Sequence, residues 1–389
     1  MNRRQFVGLG AGAVLAAPSF VRNAARGADW QANSSVHTTV DVVGDGKWVW
    51  TKPPAEKRGL LEPRSFDLKV VISMQGTGGA VNIKSTTIVP VELPEQKIES
   101  ANVQTQGCVA TLRQIAPACG QLILAAPSIV QGQVIRAVAH FRLTMLKQYF
   151  GYKKEQFPAE QTFDKTFSKA YLYDDPGITT RIRSVRDLAH KIGDEHGHPF
   201  DKARAFKHWV RKHIKMRPGR YTSVVAAIRD AIGDCEERAS VFAAFCRICG
   251  IPTRSVWVPN HVWAEFVLKD HDGVGHWIPA HTSAYTWFGY TGVHELVLQK
   301  GDEIRIPEQK QPVRFAHDWV QWKGAKPRVQ YTGVLTPIPN QAGADPGPGG
   351  WIKTPKPQWV PGEHELDKFL RDGELTEKSP FKNNEVVDE

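Results

Sequence analysis

Residues 233–238 read "GDCEER", a cysteine with one aspartate before it and two glutamates after. Thiolate, not thiol, is the nucleophile, and negative neighbours hold the proton on sulfur. Helical spacing supplies a counterweight. Ala239, Phe242, Cys246 and Cys249 fall on one apolar stripe, Asp234 is a suitable N-cap, and Gly250 stands where a helix should end. Cys235 then occupies a first turn, where N–H groups and the helix dipole favour the thiolate by about 1 kcal/mol. On this reading Asp234 caps the helix, while Glu236 and Glu237 face outward to a partly solvated surface that screens their repulsion.

A thiolate also needs a base. His261 opens "HVWAEFVL" (261–268), and the alternate residues Trp263 and Glu265 share its face. A sheet packed on the cysteine helix brings such a histidine toward the thiol, giving the Cys–His pair of covalent acyl chemistry. With fourteen histidines in the chain, residue types alone do not select the partner. Trp209, His213 and Tyr221 precede the nucleophile at distances suited to oxyanion donors, but each reads equally well as core or surface. The Cys235 backbone N–H is the first donor to consider.

The elements that position these groups follow from periodicity. Ile182, Val185, Leu188, Ala189 and Ile192 mark one helix, and Ala203, Phe206, Val210 and Ile214 a second that starts near Pro199 and Asp201. After the cysteine helix come three strands, "TRSVWV" (253–258), "HVWAEFVL" and "HWIPAHT" (276–282), the last two joined by "KDHDGVG". Upstream, "FDLKVVISM", "GAVNIKSTTIVPV" and "GQVIRAVAHFRLTML" alternate or run β-branched between Gly- and Pro-rich turns, as in an antiparallel sandwich. "VRFAHDWVQWKG" and "PRVQYTGVL" read as edge strands. "QAGADPGPGG" and the charged end from 380 read as linker and tail.

The run "GDCEERASVFAAFCRICGIPTRSVWV", followed by "NHVWAEF" and "HWIPAHTS", resembles a bacterial transglutaminase-like (papain-like) domain. The resemblance rests on Gly233, Asp234, Cys235, Gly250, Ile251, Pro252, Arg254, His261, Trp263, Glu265, Trp277, Pro279 and Thr282, within residues 181–283. It implies Cys235 as nucleophile and His261 as general base, with an amide or ester carbonyl attacked to give a thioacyl enzyme. Where that family has an aspartate, this chain has His281. A hairpin centred near residue 271 sets His281 across from His261. Asp270 and Asp272 lie too far along the strands to substitute, and Glu265 is about 13 Å away on the same face. Two readings follow. A neutral His281 accepts the His261 N–H and orients it, or activity is lost and the cleft only binds. With Cys235 and His261 both present, the active form is preferred.

Composition bounds the rest. The 389 residues are 41% hydrophobic and 23% charged, the balance of a soluble globular chain of two or three domains. The start, "MNRRQFVGLGAGAVLAAPSF", pairs Arg3 and Arg4 with Phe6 ahead of a short Gly/Ala-rich apolar run, and resembles a Tat export signal. Without the four arginines of the first 28 residues the formal charge falls from +10 to +6, which calls for no nucleic acid. The basic run Lys202–Arg220 reads as a solvated helix face. Cys108 and Cys119 suit either a disulfide or two small buried residues, and Cys246 and Cys249 read as helix core.

The expected fold is α+β. A signal peptide (1–28) and an irregular segment (29–65) precede a β-rich sandwich-like domain (66–150). A transglutaminase-like domain (165–300), with the cysteine helix packed on an antiparallel sheet, is followed by C-terminal strands (301–340) and a Pro/Gly-rich charged tail (341–389). The expected function is an exported, periplasmic or secreted cysteine enzyme acting on peptide or glutamine amides through a thioacyl intermediate. Hydrolysis is favoured over cross-linking. The alternative is a catalytically impaired binding or assembly protein of the cell envelope. A protein or peptide substrate is expected, with no cofactor, no metal, no nucleic acid and no membrane span in the mature chain; the sequence sets no oligomeric state.

Overall fold

The computed structural model describes residues 40–42, 59–217, 219–283, 288–291 and 293–338. The signal-like leader, most of 29–65 and the tail from 341 lie outside the described residues. Strand β2 (Gly59–Gln75) sends Phe66, Leu68, Val70, Ile72 and Met74 inward and Asp67 and Lys69 outward, the period-two pattern of a half-buried strand. β7 (Val134–Tyr149) repeats it with Ile135, Ala137, Ala139, Phe141, Leu143 and Met145. These faces pack on β3 (Ala80–Val89) and β6 (Cys119–Ile129) through Ile83, Leu122, Leu124 and Ala126, which forms the sandwich core.

Two sheets result. The first runs β1 (Val40–Val42), β15 (Arg328–Pro337), β2, β7, β4 (Gln96–Gln106). The second runs β12 (Gly275–Ala280), β11 (His261–Lys269), β10 (Thr253–Val258), β13 (Gln299–Lys300), β6, β3, β14 (Trp319–Gly324), with β5 (Val109–Ala116) also paired to β6. The strands expected to carry the chemistry therefore continue into the sandwich through β13, which pairs with Val256 and Trp257 on one side and Cys119 on the other. A buried ion chain crosses the same join: Lys300 Nζ lies 2.6 Å from Glu95 and 3.2 Å from Glu265, which Arg254 holds at 2.6 Å. Of the two C-terminal strands, β14 is an edge strand. β15 is not, because β1 covers its outer side in parallel register.

Five helices lie among the described residues. α1 is Lys165–Tyr171, α2 Arg183–Gly193, α3 Pro199–His213, α4 Val224–Asp230 and α5 Cys235–Ile248. α3 begins with Pro199 as expected, capped by His198, whose ring accepts the Phe200 N–H. The solvated-face reading of Lys202–Arg220 fails in part. Lys207 and Arg211 are buried, the first against the Phe288 ring and the second donating to the Ser283 carbonyl at 2.6 Å. No helix among the described residues is long and apolar enough to cross a membrane.

Cysteine pairing does not occur: none of the five is in a disulfide. Val109 pairs with Ala125, so Cys108 and Cys119 sit at opposite ends of the β5–β6 ladder, about 20 Å apart, whereas a disulfide needs Cα atoms within about 7 Å. Cys119 is buried and its thiol is pushed up to about 12 by burial; Cys108 is half-buried and donates to the Arg136 carbonyl. Cys246 and Cys249 pack in the helical layer, as expected.

Candidate active site

Helix α5 is built to hold its first turn in one place. Asp234 has extended backbone, and its carboxyl accepts the Glu236 N–H at 2.8 Å. Glu237 reaches back to the Asp234 N–H at 3.1 Å, completing a capping box. Gly233 is required beside it, since a Cβ there would lie 2.6 Å from the Glu237 Cβ. At the other end Gly250, at φ +77°, and Ile251 donate to Arg247 and Cys246 in the 5→2 and 6→1 pattern of a Schellman stop.

The acids around Cys235 do not face outward, as the sequence reading had them. Glu237 is 3% exposed, and its second oxygen accepts from the Thr222 N–H and hydroxyl at 2.7 and 3.1 Å. Glu236 is covered by Arg314, 3.4 Å away. Tertiary contacts outweighed the solvation expected of first-turn carboxylates. Burial and the neighbouring Glu237 push Asp234 up to about 8. Burial also pushes Glu237 upward, but hydrogen bonds from Asp234 and from backbone N–H groups outweigh it and hold that carboxyl below its ordinary value. At neutral pH Asp234 therefore keeps a proton and shares it with an ionised Glu237. The acid that directly precedes Cys235 is thus neutral, which removes its share of the repulsion inferred from "GDCEER".

Arg238 is a cation that the sequence reading did not single out. It is buried one turn along α5 and donates to the Ile214 carbonyl at 3.0 and 2.6 Å. Burial pulls its guanidinium down to about 10, opposed by the adjacent Cys235 and Asp234. An arginine three residues after Cys235 reads as surface charge, and nothing in the sequence marks it as buried.

The chain path returns the three candidate residues to one end of the helix–sheet layer. α5 descends its fourteen residues, about 21 Å, and β10 climbs back its six, about 20 Å, so His261 opens β11 level with Cys235. α5 packs on both strands, with Phe242 against Phe266. β12 climbs again and ends at Ala280, which delivers His281 to the same end.

His261 and His281 meet directly. Their Nε2 atoms are 3.1 Å apart, the ring centroids 4.8 Å, and both side chains are fully buried. The register behind this contact differs from the expected one. Ala264 pairs with Ala280, so the hairpin is centred near residue 272 and the position across from His281 is Trp263. The Trp263 indole stacks on His281 at 6.0 Å, while the imidazoles bridge the diagonal. Burial holds both histidines well below 6.5, and His281 is lowered further by His261, Lys207 and Arg211. Both are neutral at physiological pH. One Nε2 carries the shared proton, and if it is that of His261, the His261 lone pair is on Nδ1.

The carboxylates that the strands carry nearby have other partners. Glu265 is held by Arg254 and Lys300, and Asp270 by His276 at 2.7 Å in the turn. Glu295, absent from the sequence reading, is a buried carboxyl that burial pushes up to about 8, opposed by the Trp263 indole. Tyr221 donates to the Gly177 carbonyl, and Trp209 stacks on His213 and meets Phe245 edge to face, so these bear structural contacts. Among the described residues no group of three His, Cys, Asp or Glu is placed to hold a metal ion.

Residues 186–282 match the model of the transglutaminase-like superfamily, and this part of the chain is a transglutaminase-like domain. The match supports a cysteine-type enzyme in general. No curated protein matches the sequence. Among solved structures, a candidate cysteine protease from Cytophaga hutchinsonii is similar over 73% of this chain and 94% of its own, at 13% identity and a TM-score of 0.49. The periplasmic domain of TgpA from Pseudomonas aeruginosa is similar over 59% of this chain and 94% of its own, at 12% identity and a TM-score of 0.27. A candidate protease from Parabacteroides distasonis covers 58% of this chain, which spans 44% of that protein's length, at 14% identity and a TM-score of 0.24.

Proposed function

We propose that the protein is an exported cysteine hydrolase of peptide or other amide bonds, with Cys235 as nucleophile, His261 as general base and His281 as the group that orients it. The observation that carries this reading is the 3.1 Å contact between the two Nε2 atoms. With the proton of His261 directed at His281, Nδ1 is assigned to the thiol. The Cys235 sulfur gives its proton to Nδ1 and attacks the carbonyl carbon, and the oxyanion is assigned to the Cys235 N–H at the helix terminus. Imidazolium His261 then protonates the leaving amine as the C–N bond breaks. Water, deprotonated by the same nitrogen, cleaves the thioester and restores the thiol. Hydrolysis needs no second binding site for an amine, which favours it over transfer. The twin-arginine start supports export.

Alkylation by iodoacetamide across pH, followed by mass spectrometry of the Cys235 peptide, tests the reading. A rate midpoint well below the ordinary thiol value of about 8.5 supports the enzyme. An ordinary midpoint overturns it in favour of a binding protein. Hydrolysis and transfer both release ammonia from a glutaminyl peptide, so mass spectrometry of the peptide product separates them: the free acid marks hydrolysis, and the adduct of an added primary amine marks transfer.

A further inference from the structure

Arg314 lies well beyond the matched domain, between β13 and β14, yet its guanidinium is inserted beside the first turn of α5. Its side chain is only 11% exposed. Nη1 lies 3.4 Å from Glu236 and Nε 3.6 Å from Asp302, and Nη2 donates to the Ser240 hydroxyl. The Tyr221 ring faces the guanidinium carbon at 4.3 Å and Trp257 at 5.3 Å. On the remaining side is Gly177, at φ +87°, where any Cβ would collide with the guanidinium. A buried arginine is costly unless its partners are well placed. Here carboxylates, a hydroxyl and aromatic faces from four separate chain segments converge on one cation.

We propose that Arg314 is a positioning residue for Cys235, supplied from outside the transglutaminase-like domain, which neutralises Glu236 on the first turn of α5 and pins that turn through Ser240. The inference rests on Cys235 being the reactive thiol. Glu236 is the residue after the nucleophile and is buried, so without a cation it would repel a thiolate across a poorly screened distance. Among the described residues, the titratable and charged groups that face this turn are few. Asp234, Glu237 and Arg238 belong to α5 and its cap, Arg314 and Asp302 to the C-terminal segment, and His261 to β11. Tyr221, from the loop before α4, is held neutral by burial. Asp302 also accepts the Ser255 N–H at 2.9 Å and lies 3.9 Å from Arg247, so its charge is shared. Arg314 is the cation nearest Glu236, and it acts on the thiol through that carboxylate.

The test is the pH midpoint of Cys235 alkylation in wild type, Arg314→Gln, Glu236→Gln and the double variant, with melting temperatures in parallel. Arg314→Gln should raise the midpoint by about one unit, which slows alkylation about tenfold at pH below it. Glu236→Gln should lower it, and the double variant should return to near wild type, whatever the melting temperatures do. A purely structural role would move stability and leave the midpoints alone, and that result overturns the proposal. If Arg314→Gln does not fold, the Glu236→Gln shift decides by itself. An ordinary wild-type midpoint sinks the enzyme reading, whereas an absent difference between variants sinks this one.

Discussion

Replacing His281 by aspartate tests whether the histidine pair does the work of a histidine–carboxylate pair. The 3.1 Å Nε2 contact and the shorter aspartate side chain put a carboxylate about 5–6 Å from the centre of an imidazolium at His261. At an effective dielectric near 20 that attraction is about 3 kcal/mol, or about two pKa units on His261. Burying a new carboxylate has a cost, but Lys207 and Arg211, which now lower His281, would favour an anion at that position. The expected result is a thiolate–imidazolium pair formed at lower pH, with the alkylation midpoint of Cys235 falling by up to about two units and amide turnover rising by up to about a hundredfold. An unchanged midpoint in a folded His281→Asp protein would refute the claim that residue 281 acts on the base.

Stability should peak near pH 6 in thermal melts. Below about 6.5 the unfolded chain binds protons that His261, His281 and His294 (lowered to about 3) refuse in the fold. Their contribution is complete above 6.5 and lost as pH falls, partly offset by Asp175, Asp234 and Glu295. Above it, Asp234 and Glu295 stay protonated up to about 8 in the fold but ionise near 4 when unfolded, so stability falls by about 1.4 kcal/mol per pH unit for each. A melting temperature that climbs steadily from pH 6 to 9 would contradict this. Gly233→Ala should cost about 1–3 kcal/mol in denaturant unfolding, because its methyl meets the Glu237 Cβ and opens the capping box; an unaltered curve would show that the turn yields at no cost.

Local signals carried far in this chain. The N-cap at Asp234, the stop at Gly250 and the three strands after it depend on neighbours a few residues away, and each forms where its residues indicate. The contact of His261 with His281 also follows from hairpin logic, although the centre lies one residue later than expected, which slides the register by two and puts Trp263 directly opposite His281. What failed was long-range. Nothing near Glu236 indicates that an arginine 78 positions later would cover it. Lys207 and Arg211 read as surface because their neighbours are charged, and only the packing of α3 against Phe288 and Ser283 buries them. Shared protons are equally invisible, because Asp234 and Glu237 look like two ordinary acids until burial decides which one ionises.

The pairing of both chain ends has a consequence for how the molecule is made. β2 waits for β15 and β3 for β14, partners separated by more than two hundred residues. Closing loops of that length before any contact rewards them makes assembly slow, on the millisecond-to-second scale or longer. During synthesis the cysteine helix emerges long before the strands and Arg314 that enclose its first turn. The thiol is therefore framed late, and a chain cut short of residue 314 would leave its sandwich unfinished and Cys235 without that support.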